Sequence, residues 1–311
     1  MPQRSRIALG FAIIYLLWGG TFLAIKIGDQ TLPPLVLAAA RFLAAGALVW
    51  AWATARGEAQ PRAREWAGAL AVAALMFVAG YGVLFWAETR VASGVAAVLA
   101  ALIPLWVAAL EAWVYRSAPA SMQVVGGCVL GAAGVALLMS GHGAGATDAT
   151  AALALVGASF AWALGTVVQH RWTLPRTAAM SSAAQMLAGG GLLAGTAAMA
   201  GEFSGLHWGA FGGSTGWALA YLVLAGSVIG YSAYIWLLGH VAAVRVASYA
   251  LVNPVVALGL GWAWAGERIS GEAWMGSVVI LAALGLVLSR GAVAPVPAEP
   301  NAVARRRHAE K

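Results

Sequence analysis

Two segments of the chain, 150 residues apart, align without a gap. Residues 80–104 read GYGVLFWAETRVASGVAAVLAALIP, and residues 230–254 read GYSAYIWLLGHVAAVRVASYALVNP. The Gly-Tyr pair, the Trp five residues after the Tyr and the final proline fall in register. Pro104 and Pro254 each lie near the middle of a long apolar run. Paired helix-breaking positions in two apolar halves are typical of the binding region of a secondary transporter.

The composition excludes a soluble protein. Hydrophobic residues make up 62% of the chain and charged residues only 9%, whereas soluble proteins carry about 25% charged residues. The net charge of +7 does not indicate a nucleic-acid partner, because the basic residues are spread thinly and cluster only at 305–307. The single Cys128 excludes an intrachain disulfide. The expected surroundings are therefore a lipid bilayer.

Ten stretches reach the length of about 20 apolar residues that a transmembrane helix needs. We number them spans 1 to 10 in chain order: 7–25, 34–54, 66–86, 91–114, 121–139, 151–168, 180–200, 217–238, 245–264 and 272–289. The first run is too long for the apolar core of a signal peptide, so we expect it to be retained. The predicted fold class is an all-α integral membrane protein with ten transmembrane helices.

The loop charges predict the orientation of these spans. Most Lys and Arg residues outside the spans lie on the side of the N-terminus, and only Lys26, Arg90 and Arg268 lie opposite. Positive residues favour the cytoplasmic side, which predicts a multi-pass protein with both termini in the cytoplasm.

The repeat predicts how the chain is divided. Each half holds five spans, an odd number, so the second half enters the membrane from the opposite side and the repeat is inverted. We expect a first five-helix repeat at 1–140, a Gly-rich linker at 141–150 and a second repeat at 151–290. Residues 291–311 are predicted to form a disordered basic cytoplasmic tail. A central cavity is expected between the repeats.

The two prolines are predicted to shape that cavity. Proline lacks a backbone N–H and clashes with the carbonyl four residues earlier, which frees the carbonyls of Ala100 and Ala250. Within a membrane such groups face either protein or a water-filled cavity. A packing kink is the other interpretation, but the pairing of Pro104 with Pro254 favours the cavity.

Aromatic residues suggest the chemistry of the cavity. Tyr81 corresponds to Tyr231, and Trp18 and Trp162 lie deep in spans 1 and 6. Such side chains suit amphipathic organic solutes or cations through stacking and cation–π attraction. The residues predicted to contact a small-molecule solute are Trp18, Tyr81, Trp86, Trp162, Tyr231, Tyr234 and Asn253.

Four ionisable residues are candidates for gating or for attracting charge: Lys26, Arg41, Glu88 and Glu267. Arg41 lies within span 2, where it is either functional or a structural residue that snorkels or caps a helix. Glu88 and Glu267 are predicted at the outer mouth, where they attract cationic solute or are simply solvated. No carboxylate is expected at mid-membrane depth, so proton coupling stays unresolved.

Missing motifs narrow the function further. Neither lysine follows a glycine, so there is no Walker A phosphate loop, and the five histidines lack metal-ligand spacing. We predict no cofactor, no metal and no catalytic residue. A membrane-embedded lipid- or glycan-modifying enzyme is the alternative, but it needs converging polar groups that the sequence does not show. A structural or regulatory membrane protein is a second alternative, and the choice between monomer and homodimer stays open.

Short motifs along residues 7–290 carry a resemblance to a known family. Residues 18–22 read WGGTF, 41–42 RF, 93–94 SG, 162–163 WA, 253–256 NPVV and 266–267 GE. The chain resembles EamA-type members of the drug/metabolite transporter superfamily, in particular the YedA-like bacterial inner-membrane permeases. The resemblance implies a cavity lined mainly by spans 1, 3, 4, 6, 8 and 9, and export of small metabolites, amino acids or drugs by alternating access. Many relatives carry an acidic residue where this chain has 116–117 RS.

Overall fold

Each of the ten predicted spans coincides with helical structure. The computed structural model describes residues 2–91, 96, 99–115, 121–140, 148–204, 206–265 and 270–288. Most of the predicted linker, the predicted tail and Glu267 lie outside these residues. Within the described residues, five continuous helical stretches, in spans 1, 2, 3, 6 and 8, are long and apolar enough to cross a membrane. The chain is thus an all-α, multi-pass membrane protein.

The helices of the first repeat are Gln3–Gly19 and Thr21–Gly28 in span 1, Pro34–Ala55 in span 2, Ala63–Ala73, Ala74–Gly82 and Val83–Glu88 in span 3, Ile103–Tyr115 in span 4, and Met122–Ser140 in span 5. Those of the second are Ala149–Val168 in span 6, Ala178–Met199 in span 7, Gly213–Tyr221, Leu222–Tyr231 and Ser232–Leu238 in span 8, Ala243–Val246 and Tyr249–Ala265 in span 9, and Gly271–Leu288 in span 10. Short 3₁₀ turns occupy Gln169–Arg171 and Trp208–Phe211.

The middle of spans 3 and 8 is π-helical rather than α-helical. These two segments, Ala74–Gly82 and Leu222–Tyr231, hold corresponding positions in the two repeats. π-Helical turns are rare, usually short, and frequent at functional sites. Each segment includes the glycine of a repeated Gly-Tyr pair. The repeated sequence therefore coincides with a π-helical segment in both halves of the chain.

Spans 2 and 7 end in the same way. Gly57 and Gly201 have φ angles of 77° and 73°, a left-handed conformation that glycine adopts without strain and that commonly ends a helix. A glutamate follows each glycine in the sequence, Glu58 after Gly57 and Glu202 after Gly201. The two spans therefore share one C-terminal signal.

The two glutamates tie each span to the start of the other. Glu58 accepts a hydrogen bond from the hydroxyl of Thr177, the residue that caps the N-terminus of span 7. Glu202 accepts hydrogen bonds from the backbone N–H groups of Leu35 and Val36, at 2.9 and 3.1 Å, in the first turn of span 2. Because the end of each span meets the beginning of the other, the two spans run antiparallel, as an inverted repeat requires.

The remaining helix contacts follow the same symmetry. Span 5 packs along span 10, span 1 packs on spans 8 and 9, and span 6 packs on spans 3 and 4. Exchanging the two repeats converts the contacts of span 1 into those of span 6 and leaves the contact between spans 5 and 10 unchanged. Spans 1 and 6 are thus each inserted into the opposite repeat, which brings both repeats to a common centre.

Small residues let spans 2 and 7 approach closely. A Cβ atom on Gly46 would lie 2.9 Å from the backbone nitrogen of Leu187, and one on Gly190 would lie 2.8 Å from that of Leu43. Real Cβ atoms do not approach backbone atoms this closely, so both positions need glycine. Close backbone approach at small residues is a main source of helix association in membranes.

This contact predicts opposite effects for two neighbouring glycines. Gly190→Ala forces spans 2 and 7 apart and should lower the melting temperature of the purified protein in detergent. Gly191→Ala is the matched control, because a Cβ there meets nothing within 4 Å. Alanine is favoured over glycine in a helix by about 1 kcal/mol, so the control should keep or slightly raise the melting temperature. Equal melting temperatures for the two variants would contradict the close approach.

Candidate functional site

A cavity lies between the two repeats, with walls from spans 1, 3, 4, 6 and 9. About 80 Å³ of it is open to the centres of water molecules, which is room for several waters or part of a small organic molecule. The polar and aromatic lining residues are Trp18, Thr21, Phe22, Tyr81, Ser159, Trp162, Tyr249 and Asn253. Span 8, which the family resemblance includes, lies behind this wall and supplies none of the described lining residues.

Two tryptophans reach the cavity because each faces a glycine of the opposite repeat. The indole nitrogen of Trp18 lies 2.5 Å from the position that a Cβ on Gly230 would take. Gly80 occupies the corresponding place, with the ring of Trp162 3.4 Å from its virtual Cβ. The glycine of each repeated Gly-Tyr pair thus leaves space for a tryptophan of the opposite repeat. Only the tyrosine of each pair had been predicted to matter for the site.

The residues after Trp18 allow span 1 to sit deep in the opposite repeat. A Cβ on Gly19 would lie 2.6 Å from Val256 of span 9, and one on Gly20 would lie 2.5 Å from the hydroxyl of Tyr221 in span 8. Thr21 donates a hydrogen bond to the carbonyl of Trp18 at 2.7 Å, at the point where span 1 passes from one helix to the next. The WGGT sequence therefore combines an aromatic side chain, two close approaches and a local helix break.

The indole of Trp18 is fixed by the π-helical segment of span 8. Its Nε1 donates a hydrogen bond to the carbonyl of Gly226 at 2.8 Å. Gly226 also leaves space for the guanidinium of Arg41, whose Nη2 lies 3.0 Å from the virtual Cβ of that glycine. One residue of the π-helical segment therefore accommodates both groups.

The aromatic side chains form one connected cluster. Trp18 meets Tyr249 edge to face at 4.6 Å and Trp162 at 6.2 Å between ring centroids. Trp162 in turn meets Tyr81 at 4.9 Å and Tyr234 at 5.8 Å. The pair of Trp162 with Tyr234 is tilted and the other three pairs are edge to face, an arrangement that is favourable at these distances.

Two buried polar atoms of the cavity wall have no hydrogen-bond partner within the described structure. They are the indole Nε1 of Trp162, a donor, and the side-chain oxygen Oδ1 of Asn253, an acceptor. The Trp162 nitrogen approaches the hydroxyls of Tyr234 and Tyr249 without normal hydrogen-bond geometry. Unpaired buried polar atoms are rare because each costs about 1–3 kcal/mol, so these two are suited to a bound molecule.

Of the seven residues predicted to contact solute, four line the cavity: Trp18, Tyr81, Trp162 and Asn253. Tyr231 and Tyr234 are buried behind it. Tyr231 donates to Oε1 of Gln185 at 2.7 Å, and the hydroxyls of Tyr234 and Thr166 are 2.6 Å apart. Gln185 and Thr166 were not among the predicted residues, although a polar residue within an apolar span is a signal that could have identified them.

Trp86 lies away from the cavity, toward the end of span 3. The guanidinium of Arg90 sits 4.3 Å above its ring. The corresponding residue of the second repeat, Trp236, stacks on the ring of His240 at 4.1 Å. Both tryptophans therefore pack on a side chain four residues later, which fits an anchoring position at each end of the bundle better than solute contact.

The two prolines are less alike than their positions in the sequence. Pro254 lies inside the helix Tyr249–Ala265 and lines the cavity beside Asn253. Pro104 instead lies in the first turn of the helix Ile103–Tyr115, directly after a turn at Ala101. A proline in a first helical turn removes no helical hydrogen bond, so Pro104 starts a helix rather than kinking one.

Arg41 is buried between the repeats. Its side chain is 1% exposed, and its Nε donates to the hydroxyl of Ser227 in span 8 at 2.8 Å. Its Cζ lies 5.0 Å from the ring centroid of Tyr81, and its Nη1 has no hydrogen-bond partner of normal geometry. Arg41 therefore does not snorkel to the membrane surface.

The other charge candidates lie near one end of the bundle or outside the described residues. Lys26 is exposed at the end of span 1, and Glu88 is buried at the end of span 3. Glu267 falls in a stretch that the structure does not describe. Among the described residues, no three His, Cys, Asp or Glu side chains are placed to hold a metal ion.

Comparisons with known proteins agree with this architecture. The model of the EamA-like transporter family matches twice, at residues 5–140 and 149–289. These two matches follow the predicted repeats.

Relatives and a solved structure support the same assignment. The chain is 37% identical over 276 residues to the inner membrane transporter YedA of Escherichia coli K12, covering 88% of each protein. It is 28% identical to a probable amino-acid metabolite efflux pump of Salmonella typhimurium, over 88% of this chain and 91% of that one. A crystal structure with 21% identity shares the fold with a TM-score of 0.72, covering 92% of this chain and 98% of that one. The chain therefore belongs to the EamA-like transporter family and is a membrane transporter, not an enzyme.

Proposed function

We propose that this transporter exports small amphipathic organic molecules from the bacterial cytoplasm across the inner membrane by alternating access. The observation that carries the proposal is the aromatic cavity between the two repeats. Its wall offers one unpaired donor, the indole N–H of Trp162, and one unpaired acceptor, Oδ1 of Asn253. Sites with mostly apolar walls and a few fixed polar groups are typical of binding sites for small organic molecules.

The lining favours solutes with little net charge or with a delocalised positive charge. None of the described lining residues is Asp, Glu, Lys, Arg or His. Carboxylate groups therefore find no paired cation in the wall, whereas an organic cation is attracted by the faces of Trp18, Trp162 and the tyrosines. Amphipathic cations and neutral aromatic molecules rank above free amino acids on this chemistry. The efflux-pump relative supports the outward direction.

Alternating access requires the two repeats to move relative to one another around a central site. The buried bond from Arg41 in span 2 to Ser227 in span 8 joins the two repeats in the observed conformation. This bond stabilises the observed conformation. A rocking motion of one repeat against the other has to break it.

The function is tested by uptake of labelled solutes into inside-out membrane vesicles from cells that express the protein. The panel contains amphipathic organic cations, neutral aromatic amides and amino acids, each with and without a pH gradient. The proposal predicts saturable uptake of a cation or aromatic amide above that of vesicles lacking the protein. Uptake of amino acids alone would contradict the proposed substrate class.

The site predicts a specific loss for Trp162→Phe. Phenylalanine keeps an aromatic ring but removes the N–H, and one hydrogen bond is worth about 0.5–1.5 kcal/mol. The initial uptake rate at low solute concentration should therefore fall by about 2- to 10-fold. Trp217→Phe is the matched control, because Trp217 is 82% exposed and is not one of the residues that line the cavity. Equal rates in both variants would place the solute elsewhere.

The bond between the repeats predicts an effect on stability. Ser227→Ala removes the acceptor of a buried charged donor, and hydrogen bonds to charged groups are worth about 1.5–3 kcal/mol. Ser182→Ala is the control, since Ser182 is equally buried but bonds only to neutral groups. Thermal unfolding in detergent should show a lower melting temperature for Ser227→Ala. A similar decrease in both variants would contradict a special role for the Arg41 bond.

A further inference from the structure

Two carboxylates lie one helical turn beyond the cavity wall. Ile25 of span 1 and Leu84 of span 3 both line the cavity. Asp29 follows Ile25 by four residues, and its backbone N–H donates to the Ile25 carbonyl. Glu88 follows Leu84 by four residues in the helix Val83–Glu88. Residues four apart lie on the same face of a helix. Both carboxylates therefore lie on the helix faces that line the cavity, one turn nearer to the same end of the bundle.

Neither carboxylate has a hydrogen-bond partner among the residues that the structure describes. All four oxygen atoms of Asp29 and Glu88 are buried and unpaired within the described structure, and Glu88 is only 8% exposed. The two side chains lie close enough for the charge of Asp29 to act on Glu88. Buried, unpaired carboxylates are strongly disfavoured in the ionised form, and two together even more so.

The charged groups around the pair do not neutralise it. Lys26 acts on Glu88 through its charge, but its side chain is exposed. Three other charged side chains described at this end are bound elsewhere: Arg90 at Trp86, Glu202 at the N-terminus of span 2, and Asp148 at the N-terminus of span 6. Glu272, at the start of span 10, is exposed. Burial, followed by the negative charge of Glu202, raises the pKa of Asp29 to about 7. Asp29 therefore takes up a proton as the pH falls through neutrality.

We propose that Asp29 and Glu88 together form a proton-binding site at one end of the solute cavity, and that this site couples transport to the proton gradient. The inference rests on the proposed function. A proton from the aqueous side converts one carboxylate to a neutral carboxylic acid and so reduces the negative charge at this end of the cavity. Loss of that proton restores two negative charges next to the cavity, where they attract a cationic solute. Solute and proton therefore compete for the same end of the cavity, as exchange of one for the other requires.

Proton binding is tested without any solute by infrared difference spectroscopy of the purified protein during a pH titration. The wild-type protein should show a protonated-carboxyl band that disappears as the pH rises through about 7. Asp29→Asn and Glu88→Gln should each abolish or displace this band. Glu272→Gln, which removes an exposed carboxylate, should leave it unchanged. A band near neutrality that persists in both pair variants would overturn the proton-binding site.

Coupling is tested in proteoliposomes with the solute that the vesicle panel identifies. Glu88→Gln should lose accumulation driven by a pH gradient, whereas the control variant Glu272→Gln should keep that accumulation within about twofold of wild type. Gradient-independent exchange of labelled for unlabelled solute should remain detectable in Glu88→Gln, at a lower rate, which shows that the variant is folded. Accumulation by Glu88→Gln equal to that of wild type, or accumulation driven by a sodium gradient alone, would overturn the inference. Failure of the proposed function is distinguishable, because wild-type protein would then show no exchange although its carboxyl band titrates.

Discussion

The centre of this transporter depends on two tryptophans that each lie against a glycine of the opposite repeat. Trp18 faces Gly230 so closely that a Cβ there would collide with the indole, and Trp162 lies 3.4 Å from the position of a Cβ on Gly80. Both glycines belong to π-helical segments, and the carbonyl of Gly226 in one of them holds the Trp18 indole. Span 1 can enter the second repeat only because Gly230 has no side chain, and Gly80 leaves Trp162 of span 6 in ordinary van der Waals contact. The aromatic cavity follows from that insertion, since its main walls are the inserted tryptophans and the residues that they touch.

Around this centre, charge is distributed unevenly. The described cavity wall contains no Asp, Glu, Lys, Arg or His, and its unpaired polar atoms are the neutral groups of Trp162 and Asn253. The buried guanidinium of Arg41 lies behind Tyr81, and the unpaired carboxylates of Asp29 and Glu88 lie one turn beyond the wall. In this arrangement the aromatic cavity recognises the solute and the acidic pair binds the proton. The two sites are separate, but they are close enough to influence each other. That arrangement is compatible with the diverse substrates of a transporter family, because the recognition surface specifies shape and polarity rather than one charged group.

Much of the fold could be predicted because it depends on local properties of the sequence. Apolar length identifies all ten spans, and the 150-residue register identifies the repeat and the tyrosine and tryptophan positions. The π-helical segments could not be predicted, since hydropathy does not distinguish them from α-helix. The hydrogen-bond partners of Trp18 and Arg41 could not be predicted either, because these bonds join residues that are 208 and 186 positions apart in the sequence. Pro104 shows the limit of symmetry arguments: its local setting, a turn followed by a new helix, differs from that of Pro254 although the two align.

Alternating access requires that the cavity between the repeats opens to each side of the membrane in turn. Single cysteines at Ala158 and Ala250, two lining positions on spans 6 and 9, test it directly in a Cys128→Ala background. The measurement is the rate of labelling by a membrane-impermeant maleimide applied from either side of oriented vesicles. Alternating access predicts that both positions are labelled from both sides and that a transported solute lowers the labelling rate. Labelling from neither side, or from one side only under every condition, would contradict it.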